Sequence, residues 1–191
     1  MIRGMRWQPD ARGRLEQAAM ELYSERGFEQ TTVAEIAQRA GLTERTFFRH
    51  YADKREVLFA GAEFLQVAVI DAVAATPESP APMDAAMAGL AAAATLLEQR
   101  REFARRRHWI IASSPELRER ELIKLASLGG AVAATLRERG VAEPAASLTG
   151  EVAMAVFRIA FERWTQADEG RRLSELIAET LGELTSIATT A

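Results

Sequence analysis

The apolar residues of this chain recur at helical spacing along almost its whole length, with no sustained alternation of period two. This pattern predicts an all-α protein of about nine helices. Proline and glycine residues interrupt the pattern and place the predicted helix ends. The first predicted helix ends at about residue 27, and the others cover about 32–41, 43–51, 53–75, 83–101, 103–112, 114–140, 144–170 and 173–188.

Residues 31–50 have the pattern of two short helices joined by a glycine turn. Thr32 and Glu35 have the spacing of a capping box, in which each side chain satisfies a free backbone N–H group at the start of a helix. Gly41 stands where that helix must stop and the chain must reverse. Thr43 can then cap a second helix. This arrangement predicts a helix-turn-helix motif.

The second helix of this motif has two distinct faces. Phe47 and Tyr51 are four residues apart, so they share a face that can pack on the first helix. Arg45, Phe48 and Arg49 project from another face. A helix that is held by its back and presents arginines outward is suited to enter the major groove of DNA.

The run AAMELYSERGFEQTTVAEIAQRAGLTERTFFRHYADKREVLF resembles the DNA-binding domain of TetR-family transcriptional regulators, and the resemblance extends over about residues 11–63. It implies a three-helix DNA-binding domain at 8–55 and a helical ligand-binding and dimerisation domain at 56–191. It also implies a palindromic double-stranded DNA operator as partner. The residues that it assigns to DNA contact, or to holding the helix that makes it, are Thr31, Thr32, Thr43, Arg45, Thr46, Phe48, Arg49, His50, Tyr51 and Lys54.

Two positions depart from the usual TetR pattern. Family members commonly have a tyrosine where this chain has Phe48, so a hydroxyl that touches phosphate is missing here. Phe48 could instead pack against a thymine methyl group or a sugar. Many members have a small residue at the position of Arg45, which makes Arg45 a candidate reader of bases particular to this protein.

Composition narrows the class of protein. An apolar content of 48% in 191 residues excludes a disordered polymer, and the absence of cysteine excludes disulfides and thiolate metal sites. We predict no metal site and no cofactor. The first ten residues lack the apolar region of a signal peptide, and the alanine-rich run at 85–97 is shorter than the roughly 20 residues that span a bilayer. These features predict a cytoplasmic protein without a membrane partner.

The net charge of −3 is compatible with DNA binding because the charges are unevenly distributed. Residues 1–55 contain ten Lys and Arg against eight Asp and Glu, whereas the remainder contains fourteen against nineteen. Charges more than about 8–10 Å apart are largely screened at cellular salt. An acidic body therefore does not prevent a local arginine face from binding phosphates.

The last two predicted helices indicate self-association. The helix at 144–170 is apolar almost all round, and the helix at 173–188 has an apolar stripe. The same two helices of a second chain could cover them, although an intramolecular core helix capped by an amphipathic one is the alternative. The TetR resemblance implies a homodimer. The predicted dimer residues are Phe161, Trp164, Leu176, Leu181 and Leu184.

Five arginines and a histidine stand between residues 100 and 109. They could form a solvated basic face that pairs with Glu98 and Glu102, or a phosphate-binding rim beside an apolar pocket. From Arg100 onward, RREFARRRHWIIASSPELRERELIKLA resembles regulators of the mycofactocin-regulator type, which implies a small apolar or acyl-CoA-like effector. The candidate effector residues are Phe64, Met87, Leu90, Arg105, Arg106, Arg107, His108, Trp109, Leu122, Leu125 and Phe157.

No motif of a known catalytic site is present. The chain has two histidines and contains no HExxH sequence and no glycine-rich phosphate loop, so we predict that it is not an enzyme. The pattern favours a homodimeric repressor that a small effector releases from DNA. The alternative is a helix-turn-helix regulator that has no small-molecule effector and is controlled by a protein partner or acts as an activator. An enclosed apolar pocket would favour the first function and a filled core the second.

Overall fold

The computed structural model describes residues 11–77, 81–168 and 170–189, and within these ranges it contains nine α-helices, one short 3-10 helix and no strand. The all-α prediction is confirmed. Residues 8–10 of the predicted first domain, part of the proline-rich segment at 78–80, residue 169 and the last two residues lie outside the described ranges.

The elements follow one another along the chain with short connections. Their bounds are α1 Ala11–Arg26, α2 Val33–Arg39, α3 Glu44–His50, the 3-10 helix Glu56–Phe59, α4 Ala62–Ala75, α5 Pro82–Glu98, α6 Arg101–Ala112, α7 Pro115–Glu138, α8 Ala145–Gln166 and α9 Leu173–Thr189.

Helices α1 to α3 form a small head whose core is not made by these helices alone. Leu15, Ile36 and Phe47 are fully buried at its centre. The same apolar cluster contains side chains from α6 and from the start of α7, namely Ile110, Ile111 and Leu117. The head and the body therefore share a core. Each buried side chain of this kind stabilises the fold by roughly 1.5–3 kcal/mol.

Helices α4, α5, α7, α8 and α9 form the body around a second apolar cluster, in which Trp164 and Leu173 are fully buried. Helix α7 crosses α8 with backbone against backbone. A Cβ atom on Gly150 would collide with the carbonyl oxygen of Gly129. Glycine is therefore required where these two helices cross.

The predicted continuous helix at 53–75 is wrong, because the chain forms a 3-10 turn and then breaks at Ala60 and Gly61 before α4 begins. Asp53 does cap the turn, since its Oδ1 accepts from the backbone N–H groups of Arg55 at 2.8 Å and Glu56 at 3.2 Å. Glu56 has the spacing of the second residue of a capping box with Asp53, but its carboxylate pairs with Arg120 of the body instead. We call residues 53–61 the joint.

Helix α8 ends at Gln166 rather than near Gly170 as predicted. The guanidinium group of Arg101 donates to the carbonyl groups of Trp164 at 3.2 Å and Ala167 at 3.0 Å. The carbonyl of Trp164 also accepts from the backbone N–H of Ala167 at 3.3 Å, so the guanidinium group adds to the bonds that terminate the helix. A residue more than sixty positions away therefore stabilises this boundary.

One stretch of the described chain, Glu56–Ala75, has the length and the mean hydropathy of 1.8 that a membrane span requires. It comprises the 3-10 helix and α4, and the break at Ala60 and Gly61 interrupts it. Core helices of soluble proteins pass the same test, so the stretch is weak evidence for a membrane.

Candidate functional site

The motif at 31–50 forms with the predicted caps. The backbone N–H of Thr32 donates to Glu35 Oε2 at 2.9 Å, and the N–H of Glu35 donates to Thr32 Oγ1 at 3.3 Å. Gly41 has a φ of 64°, a left-handed conformation that favours glycine and reverses the chain. The Oγ1 atom of Thr43 accepts from the N–H of Thr46 at 3.2 Å and starts α3.

The inner face of α3 is fixed by two aromatic residues. Phe47 is fully buried, and its ring centroid lies 5.6 Å from that of Tyr51. The hydroxyl of Tyr51 donates to Glu16 Oε1 at 3.0 Å. Burial, helped by the nearby carboxylate of Glu16, raises the pKa of Tyr51 well above its ordinary value. Tyr51 therefore remains a neutral donor that ties the end of α3 to α1.

The outer face of α3 is open to solvent. Arg45, Arg49 and His50 are exposed, and the ring of Phe48 is 55% exposed although its edge contacts Phe47. Two guanidinium groups, an imidazole and an apolar ring thus lie on one short helix. The hydroxyls of Thr32, Thr43 and the half-buried Thr46 lie at the starts of α2 and α3. Such a surface can bind phosphates and base edges.

Thr31 and Lys54, by contrast, face the protein. The hydroxyl of Thr31 donates to the carbonyl of Gly27 at 2.9 Å. The ammonium group of Lys54 donates to the carbonyls of Phe28 at 2.9 Å and Thr31 at 3.0 Å, and it lies 4.3 Å from the centroid of the Phe28 ring. The geometry suits both residues to holding the turn before α2.

Tyr23 was not predicted from the sequence, and it binds the backbone of Lys54, the residue that holds this turn. Its side chain is buried, and its hydroxyl donates to the carbonyl of Lys54 at 2.6 Å. Burial raises the pKa of Tyr23 far above its ordinary value, so the hydroxyl stays a donor. A tyrosine on the apolar face of α1 was the available signal, because a buried phenol needs a partner.

The candidate effector residues of the body do not line one cavity. Leu90 and Phe157 are buried in the body core, and Met87 and Leu125 pack against it. Three others are turned to solvent, and the exposed fractions are 67% for Phe64, 59% for Trp109 and 57% for Leu122. His108 contacts the rings of Trp109 and Phe161, with centroid distances of 6.0 and 5.8 Å.

Two depressions on the described surface are open and lined largely by polar residues. One has a volume of about 200 Å³ and lies between α1 and α2. The other has a volume of about 400 Å³ and lies between the joint and α7, where it is lined by Ala52, Asp53, Arg55, Glu56, Glu116, Glu119, Arg120 and Ile123. Neither coincides with the predicted apolar pocket, whose buried members pack against one another.

The predicted arginine rim is divided among separate tasks. Arg107 donates to the carbonyl of Leu58 at 2.7 Å and to Glu121 Oε1 at 2.8 Å, so it faces the joint. Arg106 reaches Ser24 Oγ at 3.5 Å, and Arg105 is half-buried.

The alternative prediction, a solvated basic face that pairs with Glu98 and Glu102, is not seen at Glu98. That carboxylate accepts from the backbone N–H of Ser174 at 3.0 Å. Glu98 thus supports the start of α9 instead of pairing with the arginines.

The predicted dimer residues differ in their exposure, and two of them lie in the core of their own chain. Trp164 is fully buried and Leu176 is 4% exposed, and both pack in the core of their own chain. Phe161 and Leu181 are only partly exposed. Helix α8 has apolar residues on several faces, and spacing alone could not identify the outer one. The exposed apolar residues of α8 and α9 are Leu148, Ile159, Leu184 and Ile187.

Two family descriptions match the chain. Residues 16–60 match "Bacterial regulatory proteins, tetR family", and residues 80–188, more than half of the chain, match the "MftR C-terminal domain". Both agree with the resemblance found in the sequence.

Two curated relatives are transcriptional regulators. The putative mycofactocin biosynthesis transcriptional regulator MftR of Mycobacterium tuberculosis is 27% identical over 167 residues, which cover 85% of this chain and 83% of that protein. The regulator TcmR of Streptomyces glaucescens is 36% identical over 74 residues, which cover 39% of this chain and 33% of TcmR. The chain thus spans most of MftR but a third of TcmR.

Solved structures share the fold. FadR of Thermus thermophilus, a TetR-family repressor in complex with lauroyl-CoA, is 26% identical with a TM-score of 0.58, and the match covers 91% of this chain and 93% of FadR. A putative TetR-family regulator from Syntrophomonas wolfei has a TM-score of 0.68, covering 94% of this chain and 95% of that one. At 14% identity, the latter likeness shows the fold alone.

Arg45→Ala should separate base reading from phosphate binding. We expect a loss of about 1–3 kcal/mol on the cognate site and little loss on random DNA, because a base contact discriminates and a phosphate contact does not. Fluorescence anisotropy with both duplexes measures the two affinities. An equal loss on both would mean that Arg45 binds the backbone.

Lys54→Ala tests how this residue acts on DNA binding. We expect weaker binding to cognate and random DNA alike, because Lys54 holds the turn before α2 by its bonds to Phe28 and Thr31. The salt dependence of binding distinguishes the two roles. A direct phosphate contact would reduce the slope of log K against log salt by about one, whereas a positioning role leaves the slope nearly unchanged.

Proposed function

Because the chain belongs to the TetR family of bacterial regulatory proteins and has an MftR-type C-terminal domain, we propose that it is a cytoplasmic, homodimeric repressor released from its operator by a small effector. The family and the curated relatives are transcriptional regulators and not enzymes. The observation that carries the proposal is that α3 exposes a basic face to solvent while its opposite face is fixed by the buried rings of Phe47 and Tyr51.

We assign DNA binding to a head at 8–55 and effector binding and dimerisation to the rest of the chain. The head presents Arg45, Arg49 and the ring of Phe48 outward. A single recognition helix contacts few base pairs, so specific binding needs two heads on a palindromic operator. Two heads of a two-fold dimer would meet successive major grooves roughly 34 Å apart.

We propose that the dimer forms through the outer faces of α8 and α9. Leu148 and Ile159 on α8 are 60% and 42% exposed, and Leu184 and Ile187 on α9 are 37% and 72% exposed. A second copy related by a two-fold axis would cover these residues and contribute each of them twice. The apolar area removed from water would supply most of the association free energy.

The proposed effector is a small apolar or acyl-CoA-like molecule. FadR of Thermus thermophilus, with 26% identity, was solved with lauroyl-CoA. In this chain, the candidate pocket residues Leu90 and Phe157 are buried in the same apolar cluster, so an acyl chain would have to open that cluster. The half-buried Arg105 and the exposed Trp109 remain available at the rim to bind the polar part.

Control by a protein partner is the second candidate. The packed body core favours it, because a filled core offers no preformed site for a small molecule. Helix α4 also exposes Phe64 and Val67 on one face, and these side chains are 67% and 57% exposed. Under either candidate, the signal would change the separation of the two heads. Such coupling is typically about 1–3 kcal/mol.

The dimer proposal predicts the effect of one charge. Ile159→Glu should give monomers that bind the operator poorly, because an unpaired carboxylate would be buried at the two-fold seam. Light scattering measures the mass, and fluorescence anisotropy measures operator affinity. Val67→Glu is the matched control, since Val67 is similarly exposed but lies on α4. A monomeric wild-type protein at micromolar concentration would refute the dimer.

The effector proposal predicts a ranking of ligands. Lauroyl-CoA should release the protein from DNA at lower concentration than lauric acid, because the fatty acid lacks the phosphates that an arginine binds. Arg105→Ala should weaken the response to lauroyl-CoA by about tenfold or more, the range typical of charge-assisted hydrogen bonds, and leave DNA affinity without effector nearly unchanged.

The control for this prediction is an uncharged ester of lauric acid. An equal response to the ester and to lauroyl-CoA would assign the effector to neutral apolar molecules. No response to any of the three compounds would favour the protein partner.

A further inference from the structure

The joint is held from both sides through its backbone carbonyls. From the head, Tyr23 donates to the carbonyl of Lys54 at 2.6 Å and Arg12 donates to that of Ala60 at 2.7 Å. From the body, Arg107 Nε donates to the carbonyl of Leu58 at 2.7 Å. A single 3-10 turn leaves such carbonyls without partners inside the helix. The orientation of the joint therefore depends on side chains from both domains.

Arg107 makes the most extensive of these contacts. Besides its bond to Leu58, its NH1 group donates to Glu121 Oε1 at 2.8 Å, and its guanidinium carbon lies 5.0 Å from the centroid of the Phe59 ring. The side chains of Arg107 and Glu121 are 21% and 26% exposed. One planar group thus connects α6, the joint and α7 with directional bonds, which lysine could not reproduce.

Other ion pairs surround this contact. Glu56 pairs with Arg120 at 2.6 Å, and Arg55 pairs with Glu116 at 2.7 Å. The joint thus presents a positive and a negative residue to α7, which presents the opposite charges. These pairs are more exposed than Arg107 on average, and exposed pairs contribute little each. They support the register of the joint on α7.

On the head side, the joint connects to the end of α3. Arg12, which donates to Ala60, also lies 3.5 Å from Glu16 Oε1. The same Glu16 oxygen accepts from the hydroxyl of Tyr51, the residue that ends α3. A continuous series of polar contacts therefore runs from the body through the joint to α3, which we call the reading helix.

The shared apolar core cannot by itself fix the angle of the head. Ile110, Ile111 and Leu117 bury apolar area, and that contribution is nearly independent of direction. Hydrogen bonds depend on angle and lose strength when a group rotates. The directional constraint at this contact thus comes from polar bonds, and among the ion pairs of the joint and α7 that of Arg107 is the least exposed on average. The direct bonds from the body to the head, Arg106 to Ser24 at 3.5 Å and Ser114 to Glu29 at 3.4 Å, are longer than those of Arg107.

We propose that Arg107 is a positioning residue that fixes the angle of the head on the body and thereby the separation of the two reading helices in the dimer. This inference rests on the proposed function. It gives Arg107 a different role from the effector rim predicted from the sequence, because its guanidinium group is already bound to Leu58 and Glu121.

The test is operator spacing. A palindrome selected from random duplexes by the wild-type protein provides the half-sites, and duplexes with the spacer lengthened or shortened by one or two base pairs form the series. Wild-type protein should bind one spacing best. Arg107→Ala should lower the affinity for that spacing by about tenfold and change the affinity for the other spacings little, so that affinity depends less on spacing and the profile of affinity against spacing flattens. The reason is that two heads whose angle is not fixed have no preferred separation. Arg107→Lys should restore part of the preference through its charge.

Controls separate this role from general stability. Arg118→Ala removes an exposed arginine from the first turn of α7 and should leave the profile unchanged. Binding to a single half-site should be the same for all variants, because the head itself is intact. Light scattering and thermal unfolding report the dimer and the fold. If Arg107→Ala does not fold, Glu121→Gln, which keeps the shape and removes the paired charge, should flatten the profile in the same direction.

Two outcomes would overturn the inference separately from the proposed function. If the wild type has a sharp spacing optimum and the folded Arg107→Ala protein keeps both the optimum and the affinities, Arg107 does not set the angle. An equal loss at every spacing and on the half-site would mean a general structural role. A wild-type protein that selects no palindrome would instead refute the proposed function, and the inference with it.

Discussion

The shared apolar core of the head is the interaction on which the rest of the structure depends. Three helices of seven to sixteen residues bury too little surface to be stable alone, and this head is completed by Ile110, Ile111 and Leu117 from the body. Each contributes roughly 1.5–3 kcal/mol by burial. The head therefore stays packed on the body, while its angle depends on the directional contacts of the joint, and a change in α6 or in the start of α7 acts directly on the head.

Three arginines of the body bind backbone carbonyls at helix ends or in the joint. Arg101 binds carbonyls at the end of α8, Arg107 binds one in the joint, and Arg139 donates to the carbonyl of Ala74 at 2.7 Å at the end of α4. A helix end leaves carbonyls without partners, and a guanidinium group has five donors to offer. A dense arginine cluster can thus be structural, although its composition resembles that of a phosphate site.

The packed body has a consequence for regulation. A ligand that enters the apolar cluster containing Leu90 and Phe157 must first open it, and the cost of opening would reduce its apparent affinity. The opened arrangement would also displace α7, because Leu125 and Leu128 pack in the same cluster. Helix α7 carries Glu121, which binds Arg107, and Arg107 in turn binds the carbonyl of Leu58 in the joint, so contacts between adjacent residues lead from the body core to the joint.

The sequence by itself determined the local structure and the nature of the candidate site. The capping box of Thr32 and Glu35, the turn at Gly41 and the buried ring of Phe47 depend on residues three or four positions apart, so spacing was sufficient to predict them. Only the tertiary structure decided the break at Gly61, the end of α8 and the outer face of that helix. The joint and the end of α8 are bound by partners about fifty or more positions away, Arg107 and Arg101, and the outer face of α8 is the one left open when its other faces pack on α5, α7 and α9. Periodicity carries no information about which neighbours a helix acquires.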